Sequence, residues 1–220
     1  MGEQFDLFAE PEEKPVKKAA QAEQAPRILY FDLETQKSSD DVGGWSPVQI
    51  KLMKLAVGVV WDSREQKYFT YRESEATQLA DKLHTADLVV GFNVIGFDYT
   101  VLEGYGPFDL GKIQTFDMLL DVKKVLKFRL GLNHLAQHSL NAEKSADGLI
   151  SVKWYKEGVS DPGKMATMMG KIIDYCKQDV AITRDLFLFG EKEGFLKYKT
   201  RAGKIDEFKV DWKVDKLIKK

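Results

Sequence analysis

Apolar residues follow strand-like spacing in the first part of the chain, and the first such run begins near Arg27. The segment RILYFDLE is apolar almost without interruption, as in a strand that is covered on both faces. Two further apolar runs, KLAVGVVWD and KYFTYR, flank the turn-like residues Ser63 to Gln66 and predict an antiparallel hairpin. Three strands are therefore expected at the start of the folded region.

The spacing becomes helical after the hairpin. It predicts a helix over residues 74–85, and the short apolar run DLVVGF that follows predicts a buried strand. Further helices are predicted over approximately residues 97–104, 115–127, 131–139 and 163–189, the last with Gly170 as the place where it could break. The order β-β-β-α-β followed by helices predicts an α/β domain with a mixed central sheet and helices on its faces.

Two segments flank this domain and differ from it in composition. Residues 9–26 contain prolines, alanines and charges but almost no large apolar side chain, so they predict a flexible linker. Residues 196–212 alternate on both sides of Ala202-Gly203 and predict a small β-hairpin. We therefore divide the chain into an N-terminal tail (1–26), a folded domain (27–192) and a C-terminal extension (193–220).

Composition excludes several classes of protein. A chain of 220 residues that is 44% hydrophobic suits one compact domain with a core. It lacks a run of about 20 apolar residues and the apolar stretch of a signal peptide, so we expect a cytoplasmic protein without a membrane span. The single cysteine, Cys176, cannot form an internal disulfide and is expected to be buried. The net charge of -1 provides no overall basic field for nucleic acid, although basic residues outnumber acids in the middle of the chain.

Three short segments place acidic residues at the end of a strand or on a helix. Asp32 and Glu34 end the first predicted strand and project from one face, and crowded like charges are costly unless a cation neutralises them. Asp98 falls in the first turn of a predicted helix, and a spacing of four puts Tyr175 and Asp179 on one helical face. Each segment also has a purely structural interpretation: a polar strand end, a helix cap or an amphipathic helix.

In combination, the three segments resemble the motifs of the DEDD exonuclease superfamily, and most closely those of its tyrosine branch. FDLET is similar to the first motif and YCKQD to the third. GFNVIGFD is similar to the second motif in the form found in the proofreading domains of family B DNA polymerases. The similarity spans roughly residues 27–190 and includes Asp117 and the pair Leu132-Asn133 in the intervening helical region. It implies a ribonuclease-H-like fold.

The resemblance also implies a catalytic site, its cofactors and a reaction. The four metal-binding positions of the family correspond to Asp32, Glu34, Asp98 and Asp179, and its water-orienting tyrosine corresponds to Tyr175. Two divalent cations, Mg²⁺ or Mn²⁺, roughly 3.5–4 Å apart would clamp the scissile phosphate, with Asp32 bridging them. The reaction of the family is the 3′-to-5′ removal of nucleoside monophosphates.

Aromatic and polar residues near the motifs indicate how a nucleic acid could be held. Phe92 and Phe97 could stack on an unpaired terminal base, an interaction worth about 1–3 kcal/mol per base, or could belong to the core. Further candidate contacts to the strand, for which a solvated surface is the alternative, are Thr35, Asn93, Lys123, Lys124, Lys127 and Arg129. Residues 36–45 depart from the family pattern and bear on the shape of the substrate entrance.

The segment QFDLF, with Gln4, Phe5, Leu7 and Phe8, resembles the peptide by which bacterial replication and repair proteins bind the sliding clamp. Apolar side chains on a flexible segment have no core to join and are typical of partner anchors. Clamp binding would tether the domain to DNA at a raised effective concentration. The alternative is that this segment folds back onto the domain.

The sequence therefore predicts a metal-dependent 3′-5′ exonuclease, expected to be a monomer, that acts on single-stranded or frayed 3′ ends of DNA in replication or repair. An RNA 3′-exonuclease of the same fold is an alternative, because sugar discrimination depends on how closely side chains approach the 2′-hydroxyl. A catalytically silent binding module is an alternative from another class. The retention of every catalytic residue type argues against it, because clustered carboxylates repel one another without metal.

Overall fold

The structure is a computed structural model, and it describes residues 25–142 and 148–218. The segment with Gln4, Phe5, Leu7 and Phe8 and most of the predicted linker lie outside these residues. Five strands form the central sheet: β1 (Ile28–Thr35), β2 (Leu55–Asp62), β3 (Lys67–Arg72), β4 (Leu88–Gly91) and β5 (Thr115–Asp117). Their order is β3-β2-β1-β4-β5. Strand β2 is antiparallel to β1 and β3, whereas β4 is parallel to β1 and β5, so the sheet is mixed.

Helices cover both faces of the sheet, which confirms the predicted α/β fold class. The helices that the structure describes are α1 (Ser39–Val42), α2 (Pro47–Leu52), α3 (Ala76–His84), α4 (Asp98–Leu102), α5 (Met118–Leu126), α6 (Leu132–Ser139), α7 (Ile150–Ser160), α8 (Met165–Glu193) and α9 (Val214–Leu217). Helices α2, α3 and α4 contribute to one hydrophobic core, and α5, α6 and α8 contribute to the other. Among the described helices, none is long and apolar enough to cross a membrane.

Strand β1 divides its side chains between the two cores. Phe31 and Leu33 pack in the core that contains α3 and α4, whereas Tyr30 packs in the core that contains α8. Successive side chains of a strand point to opposite faces. Asp32 and Glu34 therefore face α8, on the same side of the sheet as Tyr30.

Strand β5 corrects the predicted helix over residues 115–127, because the helix begins only at Met118. Asp117 ends the strand and caps the helix, since its carboxylate accepts a hydrogen bond from the Leu119 amide at 3.0 Å. The strand was missed because three residues are too few to give a strand-like alternation that differs from the helical spacing after it.

Helix α8 runs without a break past Gly170, from Met165 to Glu193. A glycine within a helix costs about 1 kcal/mol, and packing against the sheet compensates for this cost, because Ile172, Cys176 and Val180 on the following turns are fully buried. Helices α1, α2, α7 and α9 lie outside the predicted elements.

The C-terminal extension contains the predicted hairpin, formed by β6 (Phe195–Lys199) and β7 (Ile205–Lys209) in antiparallel pairing. Downstream of the hairpin, the buried Trp212 packs in the same core as α8. Its indole nitrogen donates a hydrogen bond to Asp121 on α5 at 2.8 Å. The extension is therefore packed against the domain by apolar and polar contacts.

Candidate functional site

Three carboxylates meet near the end of β1. Asp32 and Glu34 come from the strand and Asp179 comes from α8, and ligand oxygens of the three side chains lie within 4.8 Å of one another. Cys176 and Val180, on either side of Asp179 along the helix, are fully buried in the core. This packing holds α8 against the face of β1 from which the two acidic side chains project.

Asp98 lies beside this cluster, at the first residue of α4. Its Oδ1 accepts a hydrogen bond at 3.0 Å from the backbone amide of Leu33, the residue between Asp32 and Glu34. Asp98 is buried, and its charge raises the pKa of Asp32, but its oxygens are outside the group that lies within 4.8 Å. The structure thus brings three of the four predicted carboxylates into one cluster and fixes the fourth next to them.

Burial and mutual repulsion raise the pKa values of these acids. Burial is the main cause that raises the pKa of Glu34 to about 8, and the charges of Asp179 and Asp98 raise it further. Burial likewise raises the pKa of Asp98 to about 8. The pKa of Asp32 is well above its usual value, first through burial and then through the charges of Asp98, Asp179 and Glu34. A cluster of acids with raised pKa values is stabilised when it binds either protons or cations.

Two side chains outside the predicted site contact the cluster. Ser151, fully buried on α7, donates a hydrogen bond from Oγ to Glu34 Oε2 at 2.5 Å. Cys176 places its Sγ 3.4 Å from the carbonyl oxygen and 3.5 Å from Oδ2 of Asp32. Cys176 is buried as predicted. Ser151 could not be selected from the sequence, because it belongs to none of the motifs and its helix, α7, was not predicted.

Tyr175 is buried on α8, one helical turn before Asp179. Its ring meets the ring of Trp154 on α7 edge to face, with the centroids 6.2 Å apart. The spacing of four residues directs Tyr175 and Asp179 to the same face of α8. Helix α7 therefore contacts both a carboxylate of the cluster, through Ser151, and the predicted tyrosine.

The loop between β4 and α4 is anchored by Asp117, which is buried at the end of β5. The carboxylate of Asp117 accepts hydrogen bonds from the amides of Asn93 at 2.8 Å and Ile95 at 3.1 Å. Asn93 has a φ of 70°, a left-handed conformation that asparagine adopts more readily than most residues. These contacts fix the course of the loop that leads to Asp98.

The predicted substrate-contacting residues occupy different environments. Thr35 is buried and donates its hydroxyl hydrogen bond to the carbonyl of Lys37 at 2.9 Å. Phe92 and Phe97 are half-buried and pack against different cores. The exposed basic residues around the end of α5 are Lys123, Lys124, Lys127 and Arg129. These environments separate the residues that are engaged within the domain from those available to a ligand.

An exposed tryptophan borders the site on the segment after β1. Trp45 is 66% exposed, and its ring centroid lies 6.1 Å from that of Phe97, the neighbour of Asp98. The same segment is held to α7 by an ion pair of 2.6 Å between Asp41 and Lys156. The motifs did not select Trp45, because its proximity to Phe97 arises only in the fold.

Comparison with known families identifies the domain. A sequence profile of the RNase_H superfamily matches residues 29–188, the span that carries the acidic cluster. The chain belongs to the RNase_H superfamily. This membership confirms the ribonuclease-H-like fold and supports a nuclease-type function. Nucleases of the RNase_H superfamily use divalent metal ions, and Asp32, Glu34 and Asp179 form a possible site for them.

A solved structure shows the same fold. The chain is similar to the family B DNA polymerase from the hyperthermophilic archaeon Pyrobaculum calidifontis, with a TM-score of 0.50 and 18% sequence identity. The similarity covers 77% of this chain and 26% of the polymerase, so this RNase_H superfamily member corresponds to about a quarter of that protein. A search of curated proteins gave no match.

Proposed function

We propose that this protein is a metal-dependent 3′-5′ exonuclease that releases nucleoside monophosphates from DNA. The observation that carries the proposal is the cluster of Asp32, Glu34 and Asp179, whose carboxylate oxygens lie within 4.8 Å of one another. Asp98 is hydrogen-bonded to the same strand. The order of these residues along the chain and the position of Tyr175 on α8 support the tyrosine branch of the DEDD exonucleases.

The donor set fits Mg²⁺ or Mn²⁺. All four acids offer carboxylate oxygens, which hard divalent cations prefer. The charges that act on Asp32 are those of Asp98, Asp179 and Glu34, and each of them raises its pKa, so positive charge at this position would relieve the repulsion. Asp32, Glu34 and Asp179 would hold one cation, and Asp32 and Asp98 would share in holding a second.

The residues of the chain have distinct roles in this mechanism. Bound divalent cations supply the positive charge that polarises the scissile phosphate and activates water. Ser151 fixes the orientation of Glu34 through its hydrogen bond, and the Leu33 amide fixes that of Asp98. Tyr175 donates a hydrogen bond that orients the attacking water. No covalent intermediate with the protein is required.

Trp45 and Phe97 are the side chains on which the terminal base would stack. Their rings are close to each other, and Phe97 directly precedes Asp98. Stacking of a base on an aromatic ring contributes about 1–3 kcal/mol. Because Trp45 is 66% exposed, its replacement disturbs the core little, and we expect Trp45→Ala to raise KM for DNA more than it lowers kcat. Trp45→Phe should recover most of the affinity.

The test of the activity is a time course on single-stranded DNA and RNA of the same sequence, labelled at the 5′ end. Reactions contain Mg²⁺, Mn²⁺ or a chelator, and Asp32→Ala is compared with Asp40→Ala, which changes an exposed acid on α1. We expect ladders on DNA that require the metal ion. Asp32→Ala should abolish them, and Asp40→Ala should leave them unchanged. Faster loss of RNA would replace the DNA assignment by the RNA alternative, and the absence of cleavage of both strands would refute the exonuclease.

Recruitment by a bacterial sliding clamp is proposed from the sequence of Gln4, Phe5, Leu7 and Phe8 alone, since these residues lie outside the described part of the structure. A pull-down with the clamp compares the wild-type chain with a Leu7→Ala, Phe8→Ala double variant. We expect the double variant to lose binding. Equal capture of both forms would refute this proposal and leave the exonuclease proposal untouched.

A further inference from the structure

A pocket lies between the C-terminal hairpin and the turn that joins α5 to α6. Its volume is about 640 Å³. The residues that line it are Phe128, Arg129, Leu130, Tyr198, Lys199, Thr200 and Arg201. We call it the hairpin pocket. The motifs described above do not account for it, because only Arg129 among its residues was selected from the sequence.

The chemistry of the hairpin pocket suits a nucleic-acid strand. Three of its lining residues, Arg129, Lys199 and Arg201, are cationic, and among the described residues that line it none is acidic. Phe128 is 47% exposed and its ring centroid lies 6.1 Å from that of Tyr198. Cations beside accessible aromatic rings are the combination that binds phosphates and stacks bases in single strands.

The hairpin side of the pocket is held in place by α6. Ser139 Oγ accepts a hydrogen bond from the amide of Lys197 at 2.9 Å, and His134 Nε2 accepts one from the amide of Lys199 at 3.1 Å. These contacts tie strand β6 to the domain immediately before Thr200 and Arg201. The pocket is therefore formed without a ligand, which lowers the entropy lost on binding.

Thr200 supplies an independent indication that the pocket accepts a polar ligand. Its Oγ1 is buried and makes no hydrogen bond to any residue that the structure describes. A buried hydroxyl without a partner costs about 1–3 kcal/mol. Rotation about the χ1 bond of Thr200 would turn this hydroxyl toward the pocket, where a phosphate oxygen would provide the missing partner.

The hairpin pocket is connected to the candidate active site through Arg129. The guanidinium of Arg129 donates a hydrogen bond to Asn93 Oδ1 at 3.5 Å. Asn93 belongs to the loop that Asp117 anchors and that leads to Asp98. A strand whose end lies at the carboxylates could therefore continue past Asn93 toward the pocket.

We propose that the hairpin pocket binds the substrate strand on the 5′ side of the scissile bond, with phosphates at Arg129, Lys199 and Arg201 and a base on Phe128. This inference rests on the proposed exonuclease function and extends it, because it assigns the C-terminal hairpin to substrate binding. A substrate long enough to reach the pocket is held both there and at the active site, whereas a trinucleotide is held only at the active site, by the carboxylates and the stacking rings of Trp45 and Phe97.

The first experiment measures binding of a fluorescent single-stranded DNA by anisotropy over a range of salt concentrations, with a chelator present to prevent cleavage. We expect a Lys199→Ala, Arg201→Ala double variant to bind about tenfold more weakly. A plot of the logarithm of the association constant against the logarithm of the salt concentration has a negative slope, and the variant should make this slope shallower by about 1.4, since each phosphate contact contributes about 0.7 for single strands. Phe128→Ala should weaken binding in the same assay without changing the slope.

The matched control removes one lysine and one arginine from the end of another hairpin, in an Arg64→Ala, Lys67→Ala double variant; Arg64 lies in the turn and Lys67 begins β3. Both side chains are partly exposed, and they form ion pairs with Asp87 and Glu65. Lys199 and Arg201 form no ion pair with the residues that the structure describes. The control should bind DNA as the wild type does. Equal binding by the wild type and the Lys199→Ala, Arg201→Ala variant, or equal weakening by both double variants, would overturn the inference.

The second experiment separates the pocket from the catalytic proposal. In the wild type, kcat/KM should be larger for a long oligonucleotide than for a trinucleotide, and the Lys199→Ala, Arg201→Ala variant should reduce this ratio about tenfold. An unchanged ratio would also overturn the inference. If the wild type cleaves neither substrate, the exonuclease proposal fails, but the binding assay with chelator still reports on the hairpin pocket.

Discussion

Buried carboxylates occur at both ends of the paired strands β1 and β2, in opposite electrostatic surroundings. Asp62, at the end of β2, is fully buried and contacts Arg27 at 2.6 Å and Lys82 at 2.7 Å. Burial by itself would raise the pKa of Asp62, but the hydrogen bonds from Arg27 and Lys82 hold it well below its usual range. At the other end, the neighbours of Asp32 and Glu34 are further carboxylates, and the pKa values of both acids are raised.

The difference shows that burial of an acid does not by itself indicate its role. Asp62 is neutralised by cations of the chain and stabilises the fold. Asp32, Glu34 and Asp179 are crowded together at a cost in stability, which metal ions from solution would offset. The same contrast indicates where mutations should affect stability and where they should affect activity.

The largest expected effect is on catalysis. Asp32→Asn should lower kcat/KM on end-labelled DNA at least about a thousandfold, because metal ions contribute several kcal/mol to the transition state. Asp62→Asn, assayed at a temperature at which circular dichroism shows it to be folded, should keep activity within a fewfold of wild type. A similar loss in both variants would contradict the division of roles between the two ends.

The next effect is on stability. Asp62→Ala removes the fully buried carboxylate that contacts Arg27 and Lys82, and both cations then keep only the more exposed acid beside them. The loss should cost about 3–5 kcal/mol in the free energy of unfolding measured with urea. This corresponds to a fall in Tm of about 6–20 °C for a protein of this size. Glu65→Gln is the control, since the more exposed Glu65 contacts the same two cations and should matter much less. Equal costs would show that burial of Asp62 is not decisive.

Asp32 and Asp62 also show which roles of acidic residues could be predicted from the sequence alone. Each follows an apolar strand-like run, so local pattern does not distinguish them. The motif resemblance selected Asp32, whereas the partners of Asp62 are 35 and 20 residues away in sequence and meet it only in the fold. Charge neutralisation is a property of spatial neighbours, which explains why the structural role of Asp62 was not predicted.

The fold itself was predictable where apolar residues recur at regular spacing. Strands β1 to β4 and helices α3, α5, α6 and α8 follow such patterns. Helix α7 was missed because Val152, Gly158 and Val159 weaken its helical propensity and much of its surface is exposed. Without α7, the contact between Ser151 and Glu34 could not be foreseen.

Ser151 should have an intermediate effect. Ser151→Ala removes the hydrogen bond that orients Glu34, and changes to residues that orient metal ligands typically cost about 10–100-fold in metal affinity or activity. The loss should be partly recovered at high Mn²⁺ concentration. Circular dichroism should show the same folded fraction with and without Mn²⁺, which separates this effect from a folding defect. Ser160→Ala, at the other end of α7, should leave the metal dependence unchanged. No shift in the Mn²⁺ dependence of Ser151→Ala would contradict its positioning role.

The smallest expected effect is a pH dependence of stability in the metal-free protein. The pKa of Glu34 is raised on folding from 4.5 to about 8, so its protonation stabilises the fold fully below pH 4.5, and this stabilisation is lost as the pH rises through about 8. For Asp62 the sign is opposite, since its lowered pKa gives stability that is lost in acid.

Glu34→Gln isolates this effect because it cannot ionise. Its Tm advantage over the wild type should grow between pH 6 and pH 9 by about 2–8 °C, as expected for 1–2 kcal/mol in a protein of this size. Saturating Mg²⁺ should abolish the trend in the wild type. A difference in Tm that is constant across this pH range would show that Glu34 does not titrate there.

The most direct test of the central claim is Mn²⁺ binding without nucleic acid, measured by electron paramagnetic resonance on the wild type, Asp32→Asn and Asp40→Asn. We expect the wild type and Asp40→Asn to bind Mn²⁺ alike and Asp32→Asn to bind it at least about tenfold more weakly. Equal binding by all three proteins, or no binding by the wild type, would contradict the claim that the carboxylates at the end of β1 form a metal site.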